Sequence, residues 1–297
     1  MNQKIEVIDL CFQGNTHTVA CFLVHTSDGP LLIETGPHST YSGSQKALKE
    51  KGIAVEDIKH VLITHIHLDH AGAAWAWAQN GATIYLHHSG EQHMIDPSKL
   101  YASAQRIYGD EMSRLWGDLK PISSQKLVTV GHLEELTFGD TTIKALHTPG
   151  HAIHHIAWQM EDTLFAGDSV GVKIDGGPVV PPCPPPDIDL GHWNESLDMI
   201  DKLDIQTLYL THFGPVTEVS AHLQALKLQL DDWAGWVKER LSMGQQADEM
   251  IPDFKEYVAN QLKSYGVDTA GIEKYESANP PWMSIYGLIR YWKKNVD

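Results

Sequence analysis

Four side chains that can bind metal ions lie within six consecutive positions of the chain: His65, His67, Asp69 and His70. Imidazole and carboxylate groups are the usual protein ligands of zinc, iron and manganese. Residues 59–64, just before the cluster, form a short apolar run typical of a strand, and residues 71–77 are predicted as a helix. Since α/β folds place their functional sites at the carboxyl ends of strands, the pattern predicts a metal site rather than a solvated histidine-rich turn.

Three further metal-binding side chains occur in the same kind of setting. His151 ends Thr-Pro-Gly-His, Asp168 ends Ala-Gly-Asp, and His212 lies in Leu-Thr-His-Phe-Gly. Each follows a short apolar run that predicts a strand, at residues 142–146, 163–166 and 206–210. This recurrent placement predicts that all seven side chains converge, and they suffice for two metal sites that share one carboxylate.

The seven residues and their flanking motifs resemble those of the metallo-β-lactamase superfamily, and within it the branch of glyoxalase II and the lactonases. The resemblance covers about residues 15–215 and implies an α/β fold, the αββα sandwich of that superfamily, with a binuclear site between its two sheets. It also implies that His65, His67 and His151 hold one metal ion, that Asp69, His70 and His212 hold the other, and that Asp168 bridges them. Glu34, in Glu-Thr-Gly, stands where the family usually has aspartate, and it is expected to orient the ligand-bearing loops.

The chain is expected to comprise a catalytic region, residues 1–218, and a helical region, residues 219–297. Residues 219–243, 247–265 and 280–294 carry apolar side chains at helical spacing, which predicts an appendage that serves as a cap over the pocket or as a dimer surface. Residues 97–116 are predicted as a helical insertion, and covering a sheet edge is preferred over forming a cleft wall. The proline-rich residues 176–187 predict a stiff loop that forms a wall of the substrate pocket, with inert packing or peptide docking as alternatives.

The resemblance and the complete ligand set predict a metal-dependent hydrolase with two divalent ions, zinc first and iron or manganese as alternatives. A hydroxide bridging the ions is expected to attack a carboxylic ester, thioester or lactone. A phosphodiester or phosphotriester is the alternative substrate, since the same two-metal site serves both reactions. Asp69 is the predicted catalytic residue, because it can orient the nucleophile or carry its proton. A one-iron persulfide dioxygenase and a metal-stabilised binding or signalling protein with vestigial activity are weaker alternatives.

Composition and charge limit the kinds of partner that the protein is expected to bind. The net charge is −16 with histidine neutral, and a strongly acidic chain without a basic stripe is a poor partner for nucleic acid. The sequence contains no run of 18 apolar residues, so no membrane span is predicted. The N-terminal residues lack the apolar core of a signal peptide. Cys11, Cys21 and Cys183 show no metal or disulfide spacing, so they are predicted as small buried residues in a cytoplasmic protein. The expected partner is a small-molecule substrate, with a homodimer as an additional option.

Overall fold

The computed structural model of the chain describes residues 4–295, in which two six-stranded sheets are formed. Strands β1 to β6 follow one another across the first sheet, at Ile5–Asp9, Ala20–Thr26, Gly29–Ile33, His60–Leu62, Thr83–His87 and Leu127–Val130. Strands β1, β2 and β3 are antiparallel neighbours, whereas β3 to β6 run parallel. The four parallel strands therefore end at one edge of this sheet.

The second sheet has the strand order β12-β11-β10-β9-β8-β7. In chain order, β7 to β12 span Glu135–Phe138, Thr141–His147, Ile156–Met160, Thr163–Phe165, Thr207–Leu210 and Gly214–Val216. Neighbouring strands are antiparallel except for β10 and β11, which are parallel.

Eleven α-helices complete the described part of the chain. Helices α1 to α6 span Tyr41–Glu50, Leu68–Ala71, Ala74–Gln79, His88–Ile95, Ser98–Tyr108 and Met112–Trp116. Helices α7 to α11 span Leu190–Asp201, Val219–Ser242, Ala247–Ser264, Thr269–Ala278 and Pro281–Lys294.

Strand β2 shows how the layers are built. Phe22 and Val24 pack between the two sheets, in a buried cluster that includes Trp158 of β9. Cys21 and Leu23 point the other way, into a cluster with residues of α1 and α3. Because both faces of the strand are covered, its sequence is a continuous apolar run and not an alternating one. The resulting order of helix, sheet, sheet and helix is the αββα sandwich that the resemblance implied.

The helical region after residue 218 packs directly on the outer face of the second sheet. One buried cluster joins Leu164 and Leu208 of that sheet to Leu226, Phe254 and Leu288 of α8, α9 and α11. The predicted boundary between residues 218 and 219 therefore runs through a continuous apolar core, and the division into two regions stays a prediction.

Several local predictions were wrong for identifiable reasons. Residues 71–77 do not form one helix: α2 ends at Ala71 and α3 begins at Ala74. Between them, Gly72 approaches the Pro37 Cα so closely that a Cβ would lie 3.0 Å from it. Helix α10 was not predicted, because Ile272 and Tyr275 are its only buried residues. Strand β12 was missed because it is a three-residue edge strand containing proline.

The cysteines follow their prediction in two cases out of three. Cys21 and Cys183 are buried, whereas Cys11 is exposed, so the prediction was wrong for Cys11; all three are free thiols. Within residues 4–295, no helix is long and apolar enough to cross a membrane.

Candidate metal centre

All seven predicted ligand side chains meet where strands of the two sheets end. His65 and His67 follow β4, and Asp69 and His70 lie on the single turn of α2; His151 follows β8, Asp168 follows β10 and His212 follows β11. Their ligand atoms form three groups, each within 4.8 Å: His65, His67 and His151; His65, His70 and Asp168; and Asp69, His70 and His212. The short turns after apolar strands thus bring together residues that are far apart in the sequence.

The spacing of the ligand atoms matches that of metal ligands. His67 Nδ1 lies 2.9 Å from both His65 Nε2 and His151 Nε2. Asp168 lies 3.4 Å from His151 Nε2, and Asp69 Oδ2 lies 3.5 Å from His212 Nε2. A tetrahedral zinc ion with bonds of about 2.0–2.1 Å separates its ligands by about 3.3 Å. The observed separations bracket that value.

The outer nitrogens of the histidines are held by oxygen acceptors. His151 Nδ1 donates to the Pro182 carbonyl at 2.8 Å, and His212 Nδ1 donates to the Thr18 carbonyl at 2.6 Å. Because a carbonyl oxygen only accepts hydrogen bonds, the outer nitrogen of each ring carries the proton, and in the neutral ring Nε2 presents a lone pair inward. This arrangement is the usual one for histidines that bind a metal.

Glu34 performs the same task for His70. His70 Nδ1 donates to Glu34 Oε1 at 3.0 Å, and the hydroxyls of Thr64 and Thr211 donate to the same oxygen at 2.5 Å and 3.3 Å. The carboxylate is fully buried and its backbone is left-handed, with φ 67°. Such a backbone is costly for a residue other than glycine, and the converging hydrogen bonds hold it in place. Glu34 therefore anchors both β4 and a predicted ligand.

Three buried polar atoms at the centre lack a hydrogen-bond partner among the described residues: His70 Nε2, His212 Nε2 and Asp168 Oδ1. The two nitrogens lie 3.3 Å and 3.4 Å from that oxygen. Each unpaired buried atom costs about 1–3 kcal/mol, and a cation bound among them would satisfy all three together. Imidazole and carboxylate without thiolate suit zinc, iron or manganese. The residues present therefore fit a divalent metal.

The charges of the centre favour the same conclusion. Burial opposes ionisation of Asp69, but the neighbouring His70 and His212 outweigh it and lower the pKa of Asp69 to about 2. Burial lowers the pKa of His67 to about 3, with His151 adding to the effect. At neutral pH Asp69 is consequently ionised and His67 is neutral, which are the states that bind metal. For His70, burial acts against protonation, but the carboxylates of Asp168, Glu34 and Asp69 together outweigh it and raise the pKa, so the position of this ring favours positive charge.

The centre opens onto a cavity of about 530 Å³. Helices α5 and α6 form one wall, with Leu100, Ala104, Ile107 and Leu115. The preferred prediction for residues 97–116, cover for a sheet edge, was therefore wrong. Pro182 and residues 184–187 of the proline-rich loop form another part of the cavity wall, and residues 276–280 and Met283 of the helical region complete it. That this cavity is the substrate pocket stays a prediction.

The helical region also fixes the proline-rich loop by hydrogen bonds. Asn279 Nδ2 donates to the Pro181 carbonyl at 3.1 Å, and Arg290 Nε donates to the Pro186 carbonyl at 3.1 Å. Between these contacts, the Cys183 N–H donates to Ser284 Oγ at 3.3 Å. Since Pro182 is the residue that accepts from His151, the position of α11 bears on the orientation of a predicted ligand.

Some cavity residues were not recognised from the sequence. His154 lines the cavity, with its ring centroid 5.7 Å from that of His67. Tyr108, Trp116 and Met283 also line it. The apolar spacing of residues 100–115 was the only signal for this wall, and it does not reveal what the apolar face covers.

Comparison with known proteins identifies the family. The family model of the metallo-beta-lactamase superfamily matches residues 14–212. The chain belongs to this superfamily. The assignment made from the His65–His70 motif and its partner motifs is thereby confirmed.

Several curated relatives share part of the chain. The metallo-beta-lactamase fold-containing protein ST1585 of Sulfurisphaera tokodaii is 31% identical over 167 residues, which are 55% of this chain and 63% of that protein. The lactamase-like protein aptB of Emericella nidulans is 29% identical over 67% of this chain and 52% of its own length. A hydroxyacylglutathione hydrolase of Shewanella denitrificans is 22% identical over 79% of this chain and 80% of its own. The matches to ST1585 and aptB thus span only about half to two thirds of those proteins.

Solved structures share the fold. The metallo-beta-lactamase family protein TTHA1429 from Thermus thermophilus superposes with a TM-score of 0.71 at 19% identity, over 98% of this chain and 93% of that one. The structure of ST1585 gives a TM-score of 0.62 at 24% identity, over 75% and 86% of the two chains. The coverage of TTHA1429 extends the likeness to the helical region.

Proposed function

We propose that the protein hydrolyses a carboxylic ester, a thioester or a lactone with two divalent metal ions, zinc being the first choice. The observation that carries the proposal is the convergence of seven ligand side chains on one cavity. His65, His67 and His151 would hold one ion and Asp69, His70 and His212 the other, with Asp168 shared. When bound, such ions lower the pKa of water and polarise the carbonyl oxygen of the substrate.

Asp69 is the residue of the centre best placed to handle a proton. It lines the cavity, and its side chain is 20% exposed. His212 Nε2 lies 3.5 Å from its Oδ2 and helps to keep it ionised. An ionised carboxylate that reaches the cavity can orient the attacking water and accept its proton. His154, which burial and then His67 hold neutral by lowering its pKa, lines the neighbouring wall.

The charges of the cavity favour an acyl substrate over a phosphate ester. Lys99 is the only lysine or arginine among the described lining residues, which also include Asp187 and Glu276. Phosphoryl-transfer sites surround the transferring group with cationic clamps, and the described lining of this cavity has no such cluster. Two hydroxyacylglutathione hydrolases are among the relatives, and their name describes acyl chemistry.

The test combines metal analysis with a substrate panel. Protein purified and then supplemented with zinc, iron or manganese should bind two ions per chain. Its kcat/KM on thioesters or lactones should exceed that on phosphodiesters by more than tenfold, or about 1.4 kcal/mol of barrier. His67→Ala should lose metal and activity, whereas His192→Ala, an exposed histidine on α7, should lose neither.

Two results would contradict the proposal. Binding of no more than one ion after supplementation argues against the binuclear centre. A higher kcat/KM on phosphodiesters than on thioesters, lactones and esters of matched polarity assigns the site to phosphoester hydrolysis instead.

A further inference from the structure

The cavity is much larger than the reaction alone requires. Its volume of about 530 Å³ lies within the range of about 300–1,000 Å³ that holds drug-sized ligands. The metal ligands occupy only one part of its lining, since the remaining walls come from α5, α6, the proline-rich loop and the helical region. A substrate that fills this space must extend well beyond the bond that is cleaved.

One wall is aromatic, and its rings come from segments that are far apart in the sequence. Tyr108, at the end of α5, packs against Trp116 with ring centroids 5.1 Å apart and against Trp282 of α11 at 6.2 Å. Trp116 stacks on Phe12 at 5.4 Å. Aromatic rings in such contact present a large apolar surface with little conformational freedom.

The facing wall offers few hydrogen-bonding groups. Prolines 182, 184, 185 and 186 have no N–H to donate. The carbonyl of Pro182 already accepts from His151, and that of Pro186 from Arg290. The polar backbone of this loop is therefore largely engaged elsewhere, and its proline rings provide apolar surface to the cavity.

The charged residues of the described lining are four carboxylates and one lysine, and they are poorly placed to hold an anionic substrate: Asp69, Asp168, Asp187, Glu276 and Lys99. Lys99 is exposed at the rim on α5. Glu276 is paired with Lys255 at 2.8 Å. A thiol carrier with several carboxylates would thus find, among the described lining residues, a single exposed cation and no buried partner, so its ionic groups would be desolvated without compensation.

From these observations we infer that the substrate carries a large, uncharged, apolar acyl group, which occupies the space between the α5–α6 wall, the proline-rich loop and the helical region. This inference rests on the acyl-hydrolase function proposed above and specifies its substrate class. A medium-length alkanoyl group on a neutral alcohol or thiol is the simplest member of that class.

Binding can be tested apart from turnover with ketones that cannot be hydrolysed. Isothermal titration of the full-length protein with 2-decanone should show binding with a negative heat-capacity change, the mark of apolar burial, while acetone should show none. Ser103→Trp, which fills the cavity from α5, should weaken 2-decanone binding at least tenfold. Ala102→Trp places the same side chain on the exposed face of α5 and should bind like the wild type.

Kinetics give the second readout. The acetyl and octanoyl thioesters of N-acetylcysteamine share a neutral thiol and differ by six methylenes, and each methylene buried raises kcat/KM about fourfold at most. We expect at least a hundredfold preference for the octanoyl thioester, and slower turnover of S-lactoylglutathione than of the octanoyl compound. Ser103→Trp should lower octanoyl hydrolysis far more than acetyl hydrolysis and so abolish the chain-length preference. Met283→Trp, from the opposite wall, should do the same, which guards against a folding defect in one variant.

The outcomes separate the two proposals. If acetyl and octanoyl thioesters are hydrolysed equally, or if S-lactoylglutathione is the better substrate, the apolar class is refuted and the acyl-hydrolase function stands. If 2-decanone binds and both Ser103→Trp and Met283→Trp block its binding while no acyl compound is hydrolysed, the function is refuted and the apolar specificity of the cavity stands. Equal 2-decanone affinities of Ser103→Trp and Ala102→Trp would refute the placement of the acyl group.

Discussion

Gly287 packs so closely on the proline-rich loop that adding one methyl group there should push α11 away from the loop. It lies within α11, where its backbone faces the proline-rich loop. A Cβ on residue 287 would lie 1.9 Å from the Cys183 carbonyl oxygen and 2.9 Å from the carbonyl carbons of Cys183 and Pro184. These atoms are backbone, so no side-chain rotation relieves the clash. Gly287→Ala must separate α11 from the loop.

The size of the effect follows from the distances. A Cβ atom approaches other heavy atoms to no less than about 3.0 Å, so α11 or the loop must retreat by about 1 Å. Overpacking of this kind costs about 1–3 kcal/mol, and weakening the buried bonds of Ser284 and Asn279 adds about 1 kcal/mol each. Alanine recovers up to about 1 kcal/mol of helix propensity. The expected net loss is about 2–4 kcal/mol.

A displaced loop should also disturb the metal centre. The Pro182 carbonyl, which fixes the His151 ring, moves with the loop. Loss of such an outer partner typically costs 10–100-fold in metal affinity. We therefore expect zinc affinity, measured by competition with a chromophoric chelator, to fall at least tenfold, alongside a loss of stability in urea denaturation.

Gly235→Ala is the matched control. Gly235 is exposed within α8, and a Cβ there would meet no atom within 4 Å. This change should stabilise the protein by about 0.5–1 kcal/mol and leave zinc affinity unchanged. If Gly287→Ala were as stable as Gly235→Ala, the close packing of α11 on the loop would be refuted. If Gly287→Ala were destabilised but bound zinc as tightly as the wild type, the link through Pro182 would be refuted.

Three further outcomes are expected. Asp69→Asn should lose at least about 10²-fold in kcat and His154→Asn far less, with metal content measured for both; near-wild-type turnover by Asp69→Asn would contradict its role. Removing metal with a chelator should lower the melting temperature, and zinc should restore it, because metal binding to the buried ligands stabilises the fold. Burial opposes ionisation of Asp175, but Lys274 and His17 outweigh it and lower its pKa. Since a lowered carboxyl pKa stabilises the fold above the unfolded pKa and less as pH falls, Asp175→Asn should cost under about 1 kcal/mol at pH 7 and less below about pH 4; a urea-denaturation deficit that is constant with pH would contradict this.

The predicted ligands could be placed from sequence because each depends on a local pattern. His151, Asp168 and His212 all follow short apolar strands, and a short turn after a strand leaves a side chain little choice of direction. The motif of residues 65–70 adds four ligands on one turn and the loop before it. The αββα fold was implied by the resemblance that these motifs carry, and β2, apolar on both faces, lies between two layers as that fold requires.

The cavity could not be predicted in the same way. The apolar positions of α5 indicate that one face is covered, but the partner of that face lies in other segments. Tyr108 contacts Trp282, and Asn279 contacts Pro181. The partners are far apart in the sequence, so no local sequence pattern predicts these contacts. The insertion was consequently interpreted as cover for a sheet edge, and the contribution of α10 was missed altogether.

Under the proposed function, the chemistry and the acyl specificity of the protein lie in different segments of the chain. The seven predicted metal ligands lie between residues 65 and 212 and are held by strand ends and by oxygen acceptors such as Glu34 and Thr18. The apolar walls come from residues 98–116, 182–187 and 276–283. The proline-rich loop belongs to both sets, since the Pro182 carbonyl accepts from His151 and Pro182 also lines the cavity. Changes at Ser103 or Met283 should therefore alter which acyl group is accepted, whereas changes that move the loop should alter metal binding as well.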